Sequence, residues 1–247
     1  MSLNNFDLKK YSKQIILKKI GLHGQKKLLK SKVLIIGLGG LGCPLLLYLA
    51  NSGVGELGIV DNDKVELSNL NRQILFNAKD LGKFKVNIGK EFIEKIDKNI
   101  KITTYKKRIS ARNIKKIIKS YNIICDGTDN FETRYLINDC CIKMRKKLIS
   151  AAISKFDGHL FNFNFKNKTA CFRCFMPEIP NTTNDCEFDG VSPPIAGILG
   201  SMQASEVLNS ILGINSISKS EMMIFDGVKM SLRKVKIPIN KNCINKC

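Results

Sequence analysis

Tryptophan is absent from the 247 residues, histidine occurs only twice, and arginine supplies only seven of the 41 cationic side chains. The two histidines, His23 and His159, leave little room for histidine-based catalysis, and no G-x-S-x-G motif is present. These absences argue against a hydrolase with a Ser-His-Asp triad. The chain also has no run of about 18 uncharged apolar residues. Its N-terminus carries no apolar export signal, so we expect a soluble, cytoplasmic protein without a membrane partner.

The formal net charge of +20 raises the question of a nucleic-acid partner. Lysine rather than arginine carries most of this charge, and the lysines are spread along the chain. No recognition helix, aromatic RNA-binding motif or histidine-bearing zinc finger accompanies them. We therefore predict no nucleic-acid partner and interpret the charge as a lysine-biased composition. Such a surface would attract a polyanion such as ATP or an acidic protein.

Short apolar strands and helices alternate through the first part of the chain. The segment Lys32–Gly37 is a β-branched apolar run without polar alternation, which is typical of a strand buried on both faces of a parallel sheet. A glycine turn, a helix and a second strand ending at Asp61 follow it, and the pattern continues to about residue 152. This alternation predicts a Rossmann-like, doubly wound, mostly parallel α/β sheet.

The pattern changes on either side of this core. Residues 7–30 have helical apolar spacing, and Gly21 and Gly24 are expected to break them into two helices. After about residue 153 apolar residues recur with period two, which predicts antiparallel strands that extend the sheet. A stretch rich in Pro, Asn and Cys, Cys171–Pro194, is predicted to be a long loop. We expect one domain over residues 1–247, with N-terminal helices at 7–30, a core at 32–152 and an extension at 153–247.

The turn after the first strand carries the motif G-x-G-x-x-G. Its glycines are Gly37, Gly39, Gly40 and Gly42. Glycine permits positive φ and a close approach of the backbone to a phosphate, whose charge the N–H groups of the helix start then hold. Asp61 ends the second strand, where a carboxylate accepts hydrogen bonds from ribose hydroxyls. Alone, these residues would favour an NAD-dependent dehydrogenase.

A set of polar and charged residues follows Asp61. Its members are Asp63, Asn69, Arg72, Gln73 and, where the next helix begins, Lys85. These donors and cations exceed what a nicotinamide dinucleotide needs, and they suit a triphosphate whose α-phosphorus takes up charge during attack. Each residue alone is equally typical of a solvated loop or a cap, but their order along the chain favours a triphosphate site.

These segments together resemble the ThiF/MoeB/HesA family, the bacterial relatives of ubiquitin-activating enzymes. The resemblance runs from about Tyr11 to Cys247 and is carried by QKKLLKSKVLIIGLGGLGCP, VDNDKVELSNLNRQILF, the carboxylates of CDGTDN and the cysteines of the last third. RQILF and the FDG at Phe225–Gly227 are closer to ThiF, which serves thiamine biosynthesis, than to MoeB, which serves molybdopterin. The resemblance thus implies thiamine synthesis, with molybdopterin synthesis as the alternative.

The implied reaction is adenylation by ATP of the C-terminal Gly-Gly carboxylate of a small β-grasp sulfur-carrier protein, ThiS- or MoaD-like, by a homodimer. Arg72 and Lys85 would contact the phosphates. Asp129 would hold magnesium, with Asp126 as second choice, and both carboxylates could instead cap the next helix. Asn130 would also contact the nucleotide. Sulfur would come in trans from a cysteine desulfurase or a rhodanese-type donor.

One position departs from the family pattern. The family uses an N-terminal arginine to reach the triphosphate of the other subunit, and this chain has Lys13 in the segment KYSKQ. Lysine keeps the charge but loses the planar fork of donors. The phosphate contact of Lys13 is therefore an expectation from charge alone.

Nine cysteines in a chain without an export signal favour metal binding or nucleophilic chemistry over disulfides. Cys171, Cys174, Cys243 and Cys247 form a four-thiolate set with the spacing of a structural zinc site, although C-x₃-C replaces the C-x₂-C of the family in the second pair. The resemblance also places Cys186 where a cysteine could bond covalently to the activated carrier. The remaining ordered cysteines, which lie in apolar segments, are expected to fill the core: Cys43, Cys125, Cys140 and Cys141.

Two other functions stay open at this point. An NAD-dependent oxidoreductase would use the glycine turn but leaves Lys85 and the four cysteines without a role. A non-catalytic module that only docks a β-grasp protein or nucleic acid would not need the cations and carboxylates of the turn.

Overall fold

The computed structural model describes residues 3–165, 168–178, 190–214, 217 and 220–245, so Cys186 and Cys247 lie outside the described residues. The strands are β1 (Lys32–Ile36), β2 (Glu56–Val60), β3 (Lys101–Tyr105), β4 (Ile123–Asp126), β5 (Lys147–Ser154), β6 (Asp157–Asn164), β7 (Glu221–Asp226) and β8 (Ser231–Lys236). They form one sheet in the order β3-β2-β1-β4-β5-β6-β7-β8. The first five strands are parallel, and β5 to β8 are antiparallel.

The helices cover both faces of the sheet. They are α1 (Asn5–Lys10), α2 (Ser12–Ile15), α3 (Gly21–Lys30), α4 (Gly42–Asn51), α5 (Lys85–Ile96), α6 (Ile114–Ile118), α7 (Phe131–Lys143), α8 (Phe172–Phe175) and α9 (Pro193–Leu212). Short 3₁₀ turns lie at Leu67–Asn69 and Ala78–Asp80. Among the described residues, no helix combines the length and the apolar character that crossing a membrane requires.

Alternation along β1 divides the core into two parts. Val33 and Ile35 face the apolar residues of α4, α5 and α9. Leu34 and Ile36 face α6, α7 and a cluster of phenylalanines. Burial on both faces explains why β1 shows no polar alternation in sequence. The predicted doubly wound sheet with an antiparallel extension is confirmed.

Two local expectations were wrong. Gly24 does not break a helix, because it lies inside α3, where an added Cβ would come within 2.7 Å of Leu212 Cδ2 on α9. Its small size permits the close packing of two helices. The short helix α8 interrupts the stretch that was expected to be a long loop.

The strand order changes direction at β1, with β2 and β3 on one side of it and β4 and β5 on the other. β1 pairs with β2 on one side and with β4 on the other, so the loops after these three strands converge at their carboxyl ends. Open α/β sheets bind their ligands at such a point. The glycine turn follows β1, the Asp61 segment follows β2, and the Asp129 loop follows β4.

Candidate active site

The glycine turn is held tightly against the loop after β4. Gly37 has φ +91°, and an added Cβ would lie 2.9 Å from the carbonyl oxygen of Gly127. An added Cβ on Gly42 would collide with the carbonyl oxygen of Gly37. Side chains at these two positions would separate the loops, so the sequence requirement for glycine has a steric cause.

Asp61 joins the end of β2 to the glycine turn. Its Oδ2 accepts a hydrogen bond from the Leu38 N–H at 2.7 Å, and its Oδ1 accepts one from the Asp63 N–H at 2.8 Å. Burial raises the pKa of Asp61, and these bonds together with the charge of Lys85 oppose the rise. Each carboxylate oxygen can accept more than one hydrogen bond, so Asp61 can still meet a ribose hydroxyl.

Lys85 is a buried cation at the first position of α5. Only 5% of Lys85 is exposed, and its Nζ lies 3.1 Å from Asp63 Oδ2. The Lys85 N–H also donates to the Asp63 carbonyl oxygen at 3.0 Å. Asp63 itself is exposed. A desolvated ammonium paired with a carboxylate that faces solvent is well suited to bind a phosphate.

Arg72 and Gln73 lie over the glycine turn. Arg72 Cγ is 3.5 Å from the place a Cβ on Gly40 would take, and Gln73 Nε2 is 3.8 Å from the place of one on Gly39. Arg72 Nη1 donates to the Ser68 carbonyl at 2.9 Å. The guanidinium carries further donors that can reach a ligand.

Gln73 is almost fully buried, and within the described part of the chain its Oε1 has no hydrogen-bond partner. A buried acceptor without a partner is costly, and a ligand hydroxyl or amine would satisfy it. Asn69 is also buried, and its Oδ1 accepts a hydrogen bond from the Glu66 N–H at 3.3 Å. Asn69 therefore shapes the short 3₁₀ turn that presents Arg72.

The polar residues of the loop after β4 have different hydrogen-bond partners. Asn130 caps α7, because its Oδ1 accepts from the Thr133 N–H at 2.9 Å. Neither Asp126 nor Asp129 is the cap, contrary to the capping alternative. Asp129 is exposed at the mouth of the site, and its Oδ1 accepts a hydrogen bond from Asn130 Nδ2 at 3.4 Å. An exposed carboxylate with open coordination can take a hard cation such as Mg²⁺.

Asp126 is unsuited to that role. It is fully buried, its Oδ1 accepts from the Thr128 N–H at 3.0 Å, and its Oδ2 accepts from Ser150 Oγ at 2.7 Å. Arg134 Nε lies 3.5 Å from Asp126 Oδ2. This buried network uses both oxygens for the internal structure.

Arg134 was missed by the sequence analysis. It is 5% exposed and donates from Nη2 to the Thr128 carbonyl at 2.6 Å and to the Ala151 carbonyl at 3.0 Å. It thereby supports the loop that presents Asp129. The only local signal is a cation four residues after the N-cap Asn130, and such a cation is equally typical of an exposed helix face.

Lys13 lies away from the glycine turn of its own chain. It is exposed on α2, and its neighbour Gln14 donates to the carbonyl of Ser52, the residue that follows α4. The glycine turn is at the opposite end of α4. A phosphate contact by Lys13 within one chain is therefore not supported by this arrangement.

Three of the four predicted metal-binding cysteines come together. Cys171 Sγ lies 3.7 Å from Cys243 Sγ and 4.0 Å from Cys174 Sγ, and all three residues are buried. Sulfur atoms about 2.3 Å from a tetrahedral zinc ion lie about 3.8 Å apart. The geometry of the three thiols therefore fits zinc, and the fourth predicted ligand, Cys247, is outside the described residues.

The other described cysteines are core residues, as expected. Cys43, Cys125, Cys140 and Cys141 are all buried. Burial raises the pKa of the Cys43 thiol to about 12 and also raises the pKa of Cys125. Such thiols stay protonated and unreactive near neutral pH.

Solved structures share this fold. E. coli MccB with ATP superimposes with a TM-score of 0.84 at 22% identity, covering 99% of this chain and 75% of MccB. E. coli MccB with MccA-N7isoASN gives a TM-score of 0.85 at 21% identity, covering 99% of this chain and 76% of that one. At these identities the likeness concerns the fold.

Curated relatives are closer in sequence. The adenylyltransferase and sulfurtransferase MOCS3 of Aedes aegypti is 40% identical over 244 residues, which are 98% of this chain and 56% of that protein. MOCS3 of Culex quinquefasciatus is 40% identical over 237 residues, 95% of this chain and 54% of that protein. The chain thus spans about half the length of these relatives. Residues 11–245 match the family model described as the ThiF family. By this match and these identities, the chain belongs to the ThiF family.

Proposed function

We propose that this chain uses ATP to adenylate the C-terminal Gly-Gly carboxylate of a small β-grasp sulfur-carrier protein. The observation that carries the proposal is the convergence of the glycine turn, Arg72, the Lys85–Asp63 pair and exposed Asp129 at one edge of the sheet. A carboxylate oxygen of the carrier attacks the α-phosphorus of ATP. The bond from the α-phosphorus to the bridging oxygen breaks, and pyrophosphate leaves with the electron pair.

The chain's own residues would divide this task. The glycine turn and the first N–H groups of α4 bind phosphate oxygens. Asp61 and Gln73 orient the nucleoside, and Asn69 holds the segment from which Arg72 extends. Arg72 and Lys85 offset the negative charge that develops on the phosphates.

Asp129 and Asn130 lie at the mouth of the proposed site, and Asp129 would hold Mg²⁺ there. The bound cation would neutralise charge on the departing pyrophosphate.

We also propose a homodimer in which Lys13 reaches the ATP of the partner chain. Two observations support it: Lys13 is remote from the turn of its own chain, and the residues that follow it include Ile16, 72% exposed, and Leu17, 54% exposed.

The carrier is proposed to be MoaD-like rather than ThiS-like. RQILF and FDG favoured the thiamine pathway, but the curated relatives at 40% identity are named MOCS3 and favour the molybdopterin alternative. Sulfur would come from a persulfide donor of the cysteine desulfurase or rhodanese type. The names of the relatives, which include adenylyltransferase, do not favour an NAD-dependent oxidoreductase or a non-catalytic docking module.

We propose that Cys171, Cys174 and Cys243 hold a structural zinc ion together with Cys247. The sulfur spacing supports this assignment. We further propose that Cys186 takes part in sulfur transfer after adenylation. Cys186→Ser is expected to keep ATP/pyrophosphate exchange and to lower thiocarboxylate formation on the carrier. Normal transfer by the variant would remove Cys186 from the mechanism.

The proposal is tested by mass spectrometry of the carrier after incubation with the chain and Mg-ATP. A MoaD-like carrier is expected to gain an AMP adduct at its C-terminus, and the same carrier without its last glycine is expected to gain none. A ThiS-like carrier tested in parallel identifies the pathway. Absence of an adduct on both carriers, with ATP bound, would contradict the proposed reaction.

A further inference from the structure

The three described thiols come from two distant segments of the chain. Cys171 precedes α8 as its N-cap and Cys174 lies within α8, whereas Cys243 follows the last strand by several residues. Residues 237–245 form no helix or strand. Something other than regular secondary structure must therefore hold Cys243 beside Cys171.

Asp139 on α7 contacts both segments. Arg173, which lies between the two cysteines of the first pair, donates to it from Nε at 2.9 Å and from Nη2 at 2.8 Å. Asn245, two residues after Cys243, donates to Asp139 Oδ1 at 2.8 Å. Asp139 thus receives charge-assisted hydrogen bonds from segments that are 34 and 106 residues away in sequence.

The contacts reach a thiol directly. Asn245 Nδ2 lies 3.9 Å from Cys171 Sγ, within hydrogen-bond distance for sulfur. Next to Asp139, Asn138 Oδ1 accepts from the Phe172 N–H at 3.0 Å. The start of α8 and the C-terminal segment are therefore hydrogen-bonded to the same turn of α7.

The arginine is itself held in place. The guanidinium of Arg173 lies 4.4 Å from the centroid of the Tyr135 ring. Tyr135 is on α7, one turn before Asp139. The Tyr135 hydroxyl donates to the carbonyl oxygens of Met176 and Glu178, in the chain that leaves α8. Side chains of α7 therefore contact the segment that carries Cys171 and Cys174 both within α8 and after it.

We propose that Asp139, through Arg173 and Asn245, is a positioning residue that holds the C-terminal cysteine segment against the first cysteine pair and slows the loss of bound zinc. The inference rests on the proposed zinc site and is independent of adenylation. Groups that orient metal ligands from outside typically change metal affinity by about 10- to 100-fold. Asp139 acts here without touching the metal.

The test measures the rate at which zinc leaves the purified chain in native buffer, with a chromogenic chelator to detect the released metal. Wild type is expected to carry one zinc per chain. Asp139→Asn and Asn245→Ala are expected to release it at least about tenfold faster. Glu132→Gln is the matched control, since Glu132 lies on the same helix in an exposed pair with Arg108 at 3.9 Å; its release rate should equal that of wild type.

Equal release rates for wild type and both variants would overturn the positioning role while leaving the zinc site intact. Wild type that neither carries nor takes up zinc would overturn the metal assignment, and the positioning role with it. Carrier adenylation, measured separately, would stand in either case. If Asp139→Asn does not fold, Asn245→Ala decides, because Asn245 lies on a segment without regular structure.

Discussion

Asp129 and Asn130 are adjacent in sequence, but their side chains have different contacts. Asn130 satisfies the Thr133 N–H in the first turn of α7, whereas Asp129 points its charge to solvent at the mouth of the site. Stability and activity should therefore separate at these two positions.

We expect Asn130→Ala to lower the free energy of unfolding by about 1 kcal/mol, the usual loss for an N-cap. Asp129→Asn should change the unfolding free energy by less than about 0.5 kcal/mol, yet lower carrier-dependent ATP/pyrophosphate exchange at least about tenfold at a fixed Mg²⁺ concentration. Urea unfolding and exchange assays measure the two effects. A stability loss confined to Asp129→Asn would reverse the assignment.

The glycine turn acts as an element rather than as separate residues, because Gly37, Gly42 and Gly127 are in mutual backbone contact. Gly42→Ala should lower the free energy of unfolding by about 1–3 kcal/mol through overpacking and remove ATP binding measured by calorimetry. Gly197→Ala is the control, since a Cβ at this position in α9 would meet no atom within 4 Å among the described residues outside its own helix turn. It should stabilise the chain by about 0.5–1 kcal/mol through helix propensity. Retained ATP binding by Gly42→Ala would count against a phosphate site at this turn.

The N-terminal helix α1 is tied to the end of α5 by one ion pair. Lys10 Nζ lies 2.6 Å from Asp97 Oδ2, and Asp97 is buried. Burial raises the pKa of Asp97, but the hydrogen bond and charge of Lys10, together with the hydrogen bond from the Asn99 N–H, outweigh it and hold the pKa below the usual 3.8. The pair therefore contributes stability above that value, and the contribution is lost as the pH falls through the lowered pKa.

Lys10→Met should cost about 1.5–3 kcal/mol of unfolding free energy at pH 7. The difference from wild type should shrink as the pH is lowered below about 3.8, the pKa of an unperturbed aspartate. Thermal unfolding between pH 7 and pH 3 measures it, with exposed Lys9→Met on the same helix as the control. A deficit that is constant over this range would exclude the ion pair as its source.

At the scale of the whole molecule, periodicity and glycine positions predicted most of the fold. The strand predicted at Lys32–Gly37 and the second strand predicted to end at Asp61 correspond to β1 (Lys32–Ile36) and β2 (Glu56–Val60), because burial on both faces leaves a local pattern. The site was predictable to the extent that its residues follow strands directly. Asp61 and Asp129 follow β2 and β4 closely, so the sequence could place them at the same edge of the sheet as the glycine turn, while the roles of Arg72, Lys85 and Asp129 stay predictions.

Long-range pairings could not be predicted. Arg134 with Asp126, and Asp139 with Arg173 and Asn245, join residues whose separations carry no periodic signal. Which face of α7 meets the cysteine segments is decided by tertiary packing. Gly24 illustrates the converse error, since a glycine that permits helix packing has the same local signature as a helix end.

The central claim, that this edge of the sheet activates a carrier carboxylate with ATP, is tested most directly by ATP/pyrophosphate exchange with and without a MoaD-like carrier. The comparison uses wild type, Lys85→Ala and Lys90→Ala; Lys90 lies on the same helix, but its side chain is 45% exposed and pairs with Glu94 at 3.6 Å. Wild type and Lys90→Ala should exchange at equal rates, only with the carrier, and Lys85→Ala should lose at least about 100-fold. Exchange by Lys85→Ala within tenfold of wild type, a difference of about 1.4 kcal/mol, or exchange that does not need the carrier, would contradict the account.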